Sequence, residues 1–383
     1  MSIPGAASPL FLATTAGAAD AFEISRSLRF NSADSAHLNR TPSSASNQKT
    51  WTWSGWVKLT NLTAQSFIFA AGSSPYVQIY TTSASIFIQT NQGYLATAQV
   101  FRDPSAWQHW VFAFDTTQAT ASNRIKFYVN GSEVTTWTTD QRANITQNVD
   151  TAVNSAVNHA IGKQLTGSAY SNFLLTEINF IDGQALAPTD FGKTDDNGVW
   201  QAKDTAGLTF GTNGFRLQFA DNSGATATTL GKDTSGGSNN WTPNNLSVTA
   251  GAGNDSLVDS PTNGTQTDTG AGGQVVGNYA VLNPLHVGHS TLTNGNLDAS
   301  GSSDLPTIIP GSGQWYYEIG ATGYNWDGTA ANFTSSAGSY NFGQRPFSGT
   351  PNSGYKALCT ANLPGSTIAD SSTAMDVVLN TGA

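Results

Sequence analysis

From about residue 27 onward, apolar and polar residues alternate with period two in short runs. They read "SLRFNS", "TWTWSGWVKLT", "QSFIFAAG", "YVQIYTT", "ASIFIQTN", "YLATAQVF", "HWVFAFDTT", "RIKFYVNGSEVTTW", "HAIGKQ" and "LLTEINFIDGQAL". Each run is the length of a strand and closes on turn chemistry. Side chains on a strand point alternately to its two faces. In "TWTWSGWVKLT", Trp51, Trp53, Gly55 and Val57 therefore share one face, and Thr52, Ser54, Trp56 and Lys58 the other. The first set suits a core. The second is polar around one large ring, so Trp56 is either packed under a further layer or open to a ligand. Asn130-Gly131, between "IKFYV" and "SEVTTW", predicts a type I′ hairpin, because both central residues must tolerate positive φ. Asp182-Gly183 repeats the signal, and "GFRLQF" (214–219) reads as the closing strand. Strands at this spacing predict an antiparallel two-sheet sandwich over residues 27–219, with Trp51, Trp53, Phe114, Phe127 and Val129 in its interior.

Beyond Phe219 the periodicity fades into a polar, glycine-rich stretch, expected over residues 220–312 to be an extended linker or wrap. Apolar patterning returns in "GNYAVLNPL" and in "GQWYYEIGATGYNW", where Trp315, Tyr317 and Ile319 lie on one strand face and Tyr316 and Glu318 on the other. Residues 313–383 carry prolines and glycines at intervals that forbid long elements. Residues 1–26 read as an extended arm: "PLFLA" has no positive flank and is too short for a signal peptide.

Composition narrows the function. Charged residues make up only 11% of the 383, and 39 are glycine, which favours strands and turns over helices. A net charge of −9, with 16 Lys and Arg in no basic cluster, argues against a nucleic-acid partner. No run approaches the roughly 20 apolar residues of a membrane-spanning helix. Cys359 is the only cysteine, and the five histidines do not fall at zinc-ligand spacing; His286 and His289 have a His-x-x-His look but no third ligand. No metal or other cofactor is expected.

These segments, together with "WQHWVFAFDTTQATASNRIKFYVNGSEV", "IGKQ" and "TEINFIDGQALAPTDFG", resemble in order the concanavalin A-like lectin/laminin-G superfamily. More narrowly, they are similar to the laminin-G-like domain of structural proteins of tailed phages, especially marine ones, over roughly residues 27–219. The later segments "DTSGGSNNWTPNNLSVTAGAGNDSLVDSPTNG", "GNYAVLNPL" and "NFGQRPF" resemble the region C-terminal to that domain in such proteins, where a SPRY domain begins near the equivalent of "GQWYYEIGATGY". Here "NFGQRPF" arrives too early for a complete SPRY sandwich, so 313–383 is expected to be a shortened remnant and C-terminal tail. The implied fold class is all-β: an antiparallel concanavalin A-like (jelly-roll) sandwich plus an irregular, Gly/Asn-rich C-terminal β region.

The same superfamily includes glucanases that carry two catalytic glutamates on one strand, and "EINFID" comes close to their pattern. Asn179 stands where the central Asp would be and Asp182 where the acid/base Glu would be. Glu177 and Asp182 are five positions apart, so on a regular strand they face opposite ways and cooperate only across a bulge. No G-x-S-x-G elbow is present. The expectation is a non-enzyme with no catalytic residues. The resemblance implies a virion structural protein, most closely a tail fibre or receptor-binding appendage that adheres to host-surface glycan. A head-decorating fibre or minor capsid protein is the alternative in its class, and a polysaccharide-degrading enzyme the alternative outside it. Implied partners are copies of itself, a trimer first, and other virion proteins. The implied place is the tail or capsid surface, after synthesis in the host cytoplasm. If glycan binds the first domain, the expected contacts are Trp56, Thr52, Ser54 and Lys58.

Overall fold

The computed structural model describes residues 22–195, 198–261, 276–285, 291–300, 306–310, 315–320, 324–328, 338–351, 355–360 and 377–379. In chain order the strands begin with Ser27–Phe30 (β1), His37–Arg40 (β2), Thr50–Leu59 (β3), Ser66–Ala71 (β4), Val77–Thr82 (β5) and Ser85–Thr90 (β6). Then come Gly93–Thr97 (β7), Gln108–Asp115 (β8), Ile125–Val129 (β9), Ser132–Glu133 (β10), Trp137–Asp140 (β11) and His159–Ile161 (β12). Phe173–Asp182 (β13), Gly192–Thr194 (β14), Trp200–Ala202 (β15), Phe215–Leu217 (β16), Thr242–Asn244 (β17) and Ser256–Leu257 (β18) come after them.

Two large sheets form. The first runs β10-β9-β8-β3-β13-β1-β18 with β16 on β13; the second runs β11-β7-β6-β5-β4-β12-β2-β17. Between them lies one core, to which the expected face of β3 contributes: Trp51 and Trp53 are fully buried, with Phe114 and Phe127. Trp51 stacks on Phe114 at 3.8 Å, and Phe112 on Phe127 at 4.5 Å. Val129 is half-buried against this core. Gly55 has a packing reason, since a Cβ there would come within 2.7 Å of the Trp53 ring. The Asn130-Gly131 hairpin is present, with φ of 47° and 81°. After Glu133 the chain leaves the first sheet and β11 joins the second, so "SEVTTW" serves both.

The sandwich does not close at Phe219. Residues expected to be linker supply β17 on the edge strand β2 and β18 on β1, and bury Leu230, Trp241 and Leu246 in the core. Such short strands leave no period to read. Residues 22–26 lie against their own sandwich, with Ile24 buried and Arg26 O accepting from Thr176 Oγ1 at 2.6 Å. The rest of the expected arm, much of the 262–312 stretch, His286 and His289 lie outside the described residues.

Next come Leu292–Thr293 (β19), Asp298–Ala299 (β20), Ile308–Pro310 (β21), Trp315–Gly320 (β22), Tyr324–Gly328 (β23), Gly338–Asn341 (β24), Lys356–Ala357 (β25) and Val377–Leu379 (β26). A third sheet runs β19-β20-β24-β22-β23 with β25 on β22, and β21 pairs with β26. Trp315 and Tyr317 enter its core with Ile319 packed on it, as their alternation predicts. On the other face Tyr316 meets Phe347, and Glu318 accepts from Ser348 and Gly349. Arg29 and Arg345, both buried, join this unit to the sandwich: Arg29 pairs with Asp255 at 3.0 Å, and both donate to Ala252 O.

Candidate functional site

The four residues expected to meet glycan are interior. Trp56 is 5% exposed, while Thr52, Ser54 and Lys58 are fully buried. Their face of the first sheet is outward, as the alternation requires, but two later segments cover it. Residues 184–195 and 198–205 lie over one end: Thr52 Oγ1 donates to Gln184 O at 2.7 Å and accepts from Leu186 N at 2.8 Å. Trp56 packs among Ile24, Trp107, Leu174, Ala202 and Leu257. At the other end Lys58 Nζ donates to Asp259 Oδ2, Asn278 Oδ1 and Tyr279 O, each at 2.8 Å, which uses all three of its protons. Trp107 Nε1 donates to the other oxygen of Asp259 at 2.9 Å. Burial pulls the Lys58 amine below its ordinary value, and Asp259 pulls it back. This face is a second core, so no sugar reaches it.

Ser54 Oγ lies 2.8 Å from His109 Nε2, which on distance alone suggests a nucleophile and its base. The proton is in the wrong place. Trp200 Nε1, which can only donate, sits 3.1 Å from His109 Nδ1, so the ring carries its proton on Nε2 and donates it to Ser54. Activating a serine requires a free acceptor there. Burial pushes His109 down to about 3, keeping it neutral.

A bulge does occur in β13, with the register slipping between Thr176 and Asn179 and Glu177 at φ 45°. It does not bring the carboxyls together. Glu177 is buried 2.6 Å from Arg216 Nε, beside Thr205, whereas Asp182 accepts from Asn47 N, Asn154 Nδ2 and Asn213 N at the end of the strand. Burial raises the Glu177 carboxyl, with Arg216 opposing. Among the described residues no group of three or more His, Cys, Asp or Glu is placed to hold a metal.

The outer face of the second sheet has different chemistry. Ile79, Ile86, Ile88 and Leu95 point into the core, so the alternate residues of β5, β6 and β7 point away from it. Register sets them in two rows across the strands: Phe67, Tyr80 and Phe87 in one, and Gln78, Gln89 and Tyr94 in the other. Ring centroids from Phe67 to Tyr80, Tyr80 to Phe87 and Phe87 to Tyr94 are 5.0, 5.1 and 6.2 Å apart, all stacked. Rings stacked at strand spacing turn their faces to one another and their rims outward, so hydroxyls and ring edges are presented. Tyr76, Phe87, Gln89 and Tyr94 are half-buried, with Gln78 and Tyr80 deeper. Gln89 Nε2 donates to Tyr76 Oη at 3.1 Å, and Gln78 Nε2 to Thr166 Oγ1 at 2.6 Å, which sets the 163–170 loop as a wall. Burial, then the Tyr76 and Tyr94 phenols, hold Tyr80 above the ordinary phenol range, so it stays a neutral hydroxyl. A signal for this face was in the sequence: between Lys58 and Arg102 there is no Asp, Glu, Lys, Arg or His.

Comparison with family models agrees on the fold. Residues 31–190 match the model of the concanavalin A-like lectin/glucanases superfamily. That match agrees with the two-sheet, concanavalin A-like sandwich described above. No curated protein matches the sequence. Among solved structures the chain is similar to a putative carbohydrate binding protein from Bacteroides ovatus, at 13% identity over 58% of this chain and 59% of that one, TM-score 0.39. It is also similar to a heptameric SAP-like pentraxin from Limulus polyphemus (16%, 44% and 80%, TM-score 0.32). Domains LG4-5 of the mouse laminin α1 chain are a third (11%, 43% and 44%, TM-score 0.31).

Proposed function

We propose that the protein is an adhesion component of a tailed-phage virion, in a tail fibre or receptor-binding appendage, which holds host-surface glycan on the outer face of its second sheet. The face formed by Tyr80, Phe87, Gln89 and Tyr94, with Tyr76 beside it, carries the adhesion reading. Sugars present hydroxyls between apolar C–H patches, and neutral phenols and amides set on a stacked aromatic base complement both. The virion setting rests on the sequence resemblance, in which 313–383 is the shortened SPRY-like part. The partners are then copies of this chain and other virion proteins, at the tail or capsid surface. With Glu177 paired to Arg216 and Asp182 held by three donors, neither carboxyl is available for hydrolysis, and the reading is of a binder without enzymatic activity.

The test is a glycan array probed with the full chain and with Tyr80→Ala and Gln89→Ala. Binding should be present and fall with both substitutions. Retained binding by both moves the site elsewhere. Release of reducing sugar that disappears in Glu177→Gln would establish the enzymatic alternative.

A further inference from the structure

Resting on the adhesion reading, we infer that the ligand is an uncharged polysaccharide held along an extended stretch of its chain, rather than a charged or terminal sugar. Two features of the second-sheet face carry this.

One is the lack of charge on strands β4 to β7. Strands β4 to β7 and their turns fall within the interval from Lys58 to Arg102, which contains no ionisable acidic or basic residue. The loop that walls the face contributes one ammonium, Lys163, and that group sits over the Tyr170 ring, 5.4 Å from its centroid. Taking a carboxylate or sulfate out of water requires a cation or several convergent N–H donors in return. Phenol and carboxamide groups instead match the neutral hydroxyls of an uncharged glycan, donor to acceptor.

The other feature is the layout of the polar groups. Gln89 and Tyr94 are directly paired neighbours on successive strands, so an amide and a phenol stand one strand spacing apart, about 4.8 Å, while Gln78, paired to Gln89 on the third strand, is buried and holds the wall through Thr166. Tyr80 and Phe87 repeat the step in the adjacent row. Groups in a line do not converge on one ring as they would in a terminal-sugar pocket. Instead they meet a repeating chain laid across the strands, since an extended glycan advances by a similar length per sugar. The stacked bases fix the row, because a ring wedged between neighbours at 5.0 and 5.1 Å has little rotamer freedom.

The experiment is affinity measurement on the full chain with three polymers, a neutral glucan, a neutral galactomannan and the anionic polymer alginate, at low and high NaCl. A neutral polymer should bind with less than about a twofold change between the two salt conditions, because no charge pair is screened. Its matching oligosaccharide should compete, and the free monosaccharide should not. Gln89→Ala and Tyr94→Phe should each weaken binding by about fivefold, the worth of one hydrogen bond. Preference for alginate with a steep loss in salt overturns the uncharged class, and equal competition by monosaccharide overturns the extended mode; either leaves the adhesion reading standing. Binding to none of the polymers, and to nothing on a broad glycan array, overturns both.

Discussion

His109 and His159 are held neutral by burial, at about 3 and about 4 against an unfolded value near 6.5. A histidine with a depressed folded value stabilises the fold fully above pH 6.5, and that contribution is lost as pH falls from 6.5 toward its folded value. Denaturant midpoints should therefore drop steadily from pH 6.5 to 4, with a slope of order 1 kcal/mol per pH unit for each histidine. His109→Gln should flatten the slope; an unchanged slope would mean the ring already titrates normally. Lys58 is a second case. Lys58→Ala leaves Asp259 buried without its cation, and chemical denaturation should show a loss of about 3–5 kcal/mol. At this scale the alternation of "WTWSGWVKL" assigned Trp51, Trp53 and Trp56 to their correct faces. It could not show that the outward face is covered, since the Lys58 partner Asp259 comes 201 residues later, in a stretch with no apolar period.

Strand positions were legible wherever alternation was sustained, and turns wherever chemistry demanded positive φ. Gly131 is such a turn residue, and a Cβ there would also come within 2.5 Å of the Trp200 ring. Gly131→Ala should cost about 1–2 kcal/mol from the backbone conformation alone, with the displaced indole adding to it, as measured by thermal unfolding. Strands β17 and β18 were not legible, because two or three residues pinned by side-chain hydrogen bonds show no period. The expected boundary at Phe219 therefore fell too early. A chain cut there loses Trp241, Leu257, Asp255 and Asp259, and bares Arg29 and Lys58. We expect residues 22–219 to unfold at markedly lower denaturant than residues 22–261, or not to fold cooperatively. Equal midpoints would make the later segment dispensable.

For the whole molecule, the fold class was readable because many weak local signals agreed, while the proposed binding face is built of tyrosine, phenylalanine and glutamine rather than the tryptophans of β3. Tyrosine, glutamine and phenylalanine alternating with isoleucine in "VQIY" and "SIFIQ", in a stretch free of charge, were the stronger sign. The proposed adhesion role also implies assembly. Sedimentation of the full chain should give an oligomer, a trimer by the phage resemblance, and a concentration-independent monomer would count against that arrangement. The distance between Lys58 and Asp259 has a further consequence, for synthesis. At about 5–20 residues per second, roughly 10–40 seconds separate the two residues at the ribosome. By then Ile24, Trp107 and Ala202 are already made and can cover Trp56, but the Lys58 end of the same surface stays open, and its ammonium waits in water for a carboxylate still to be synthesised.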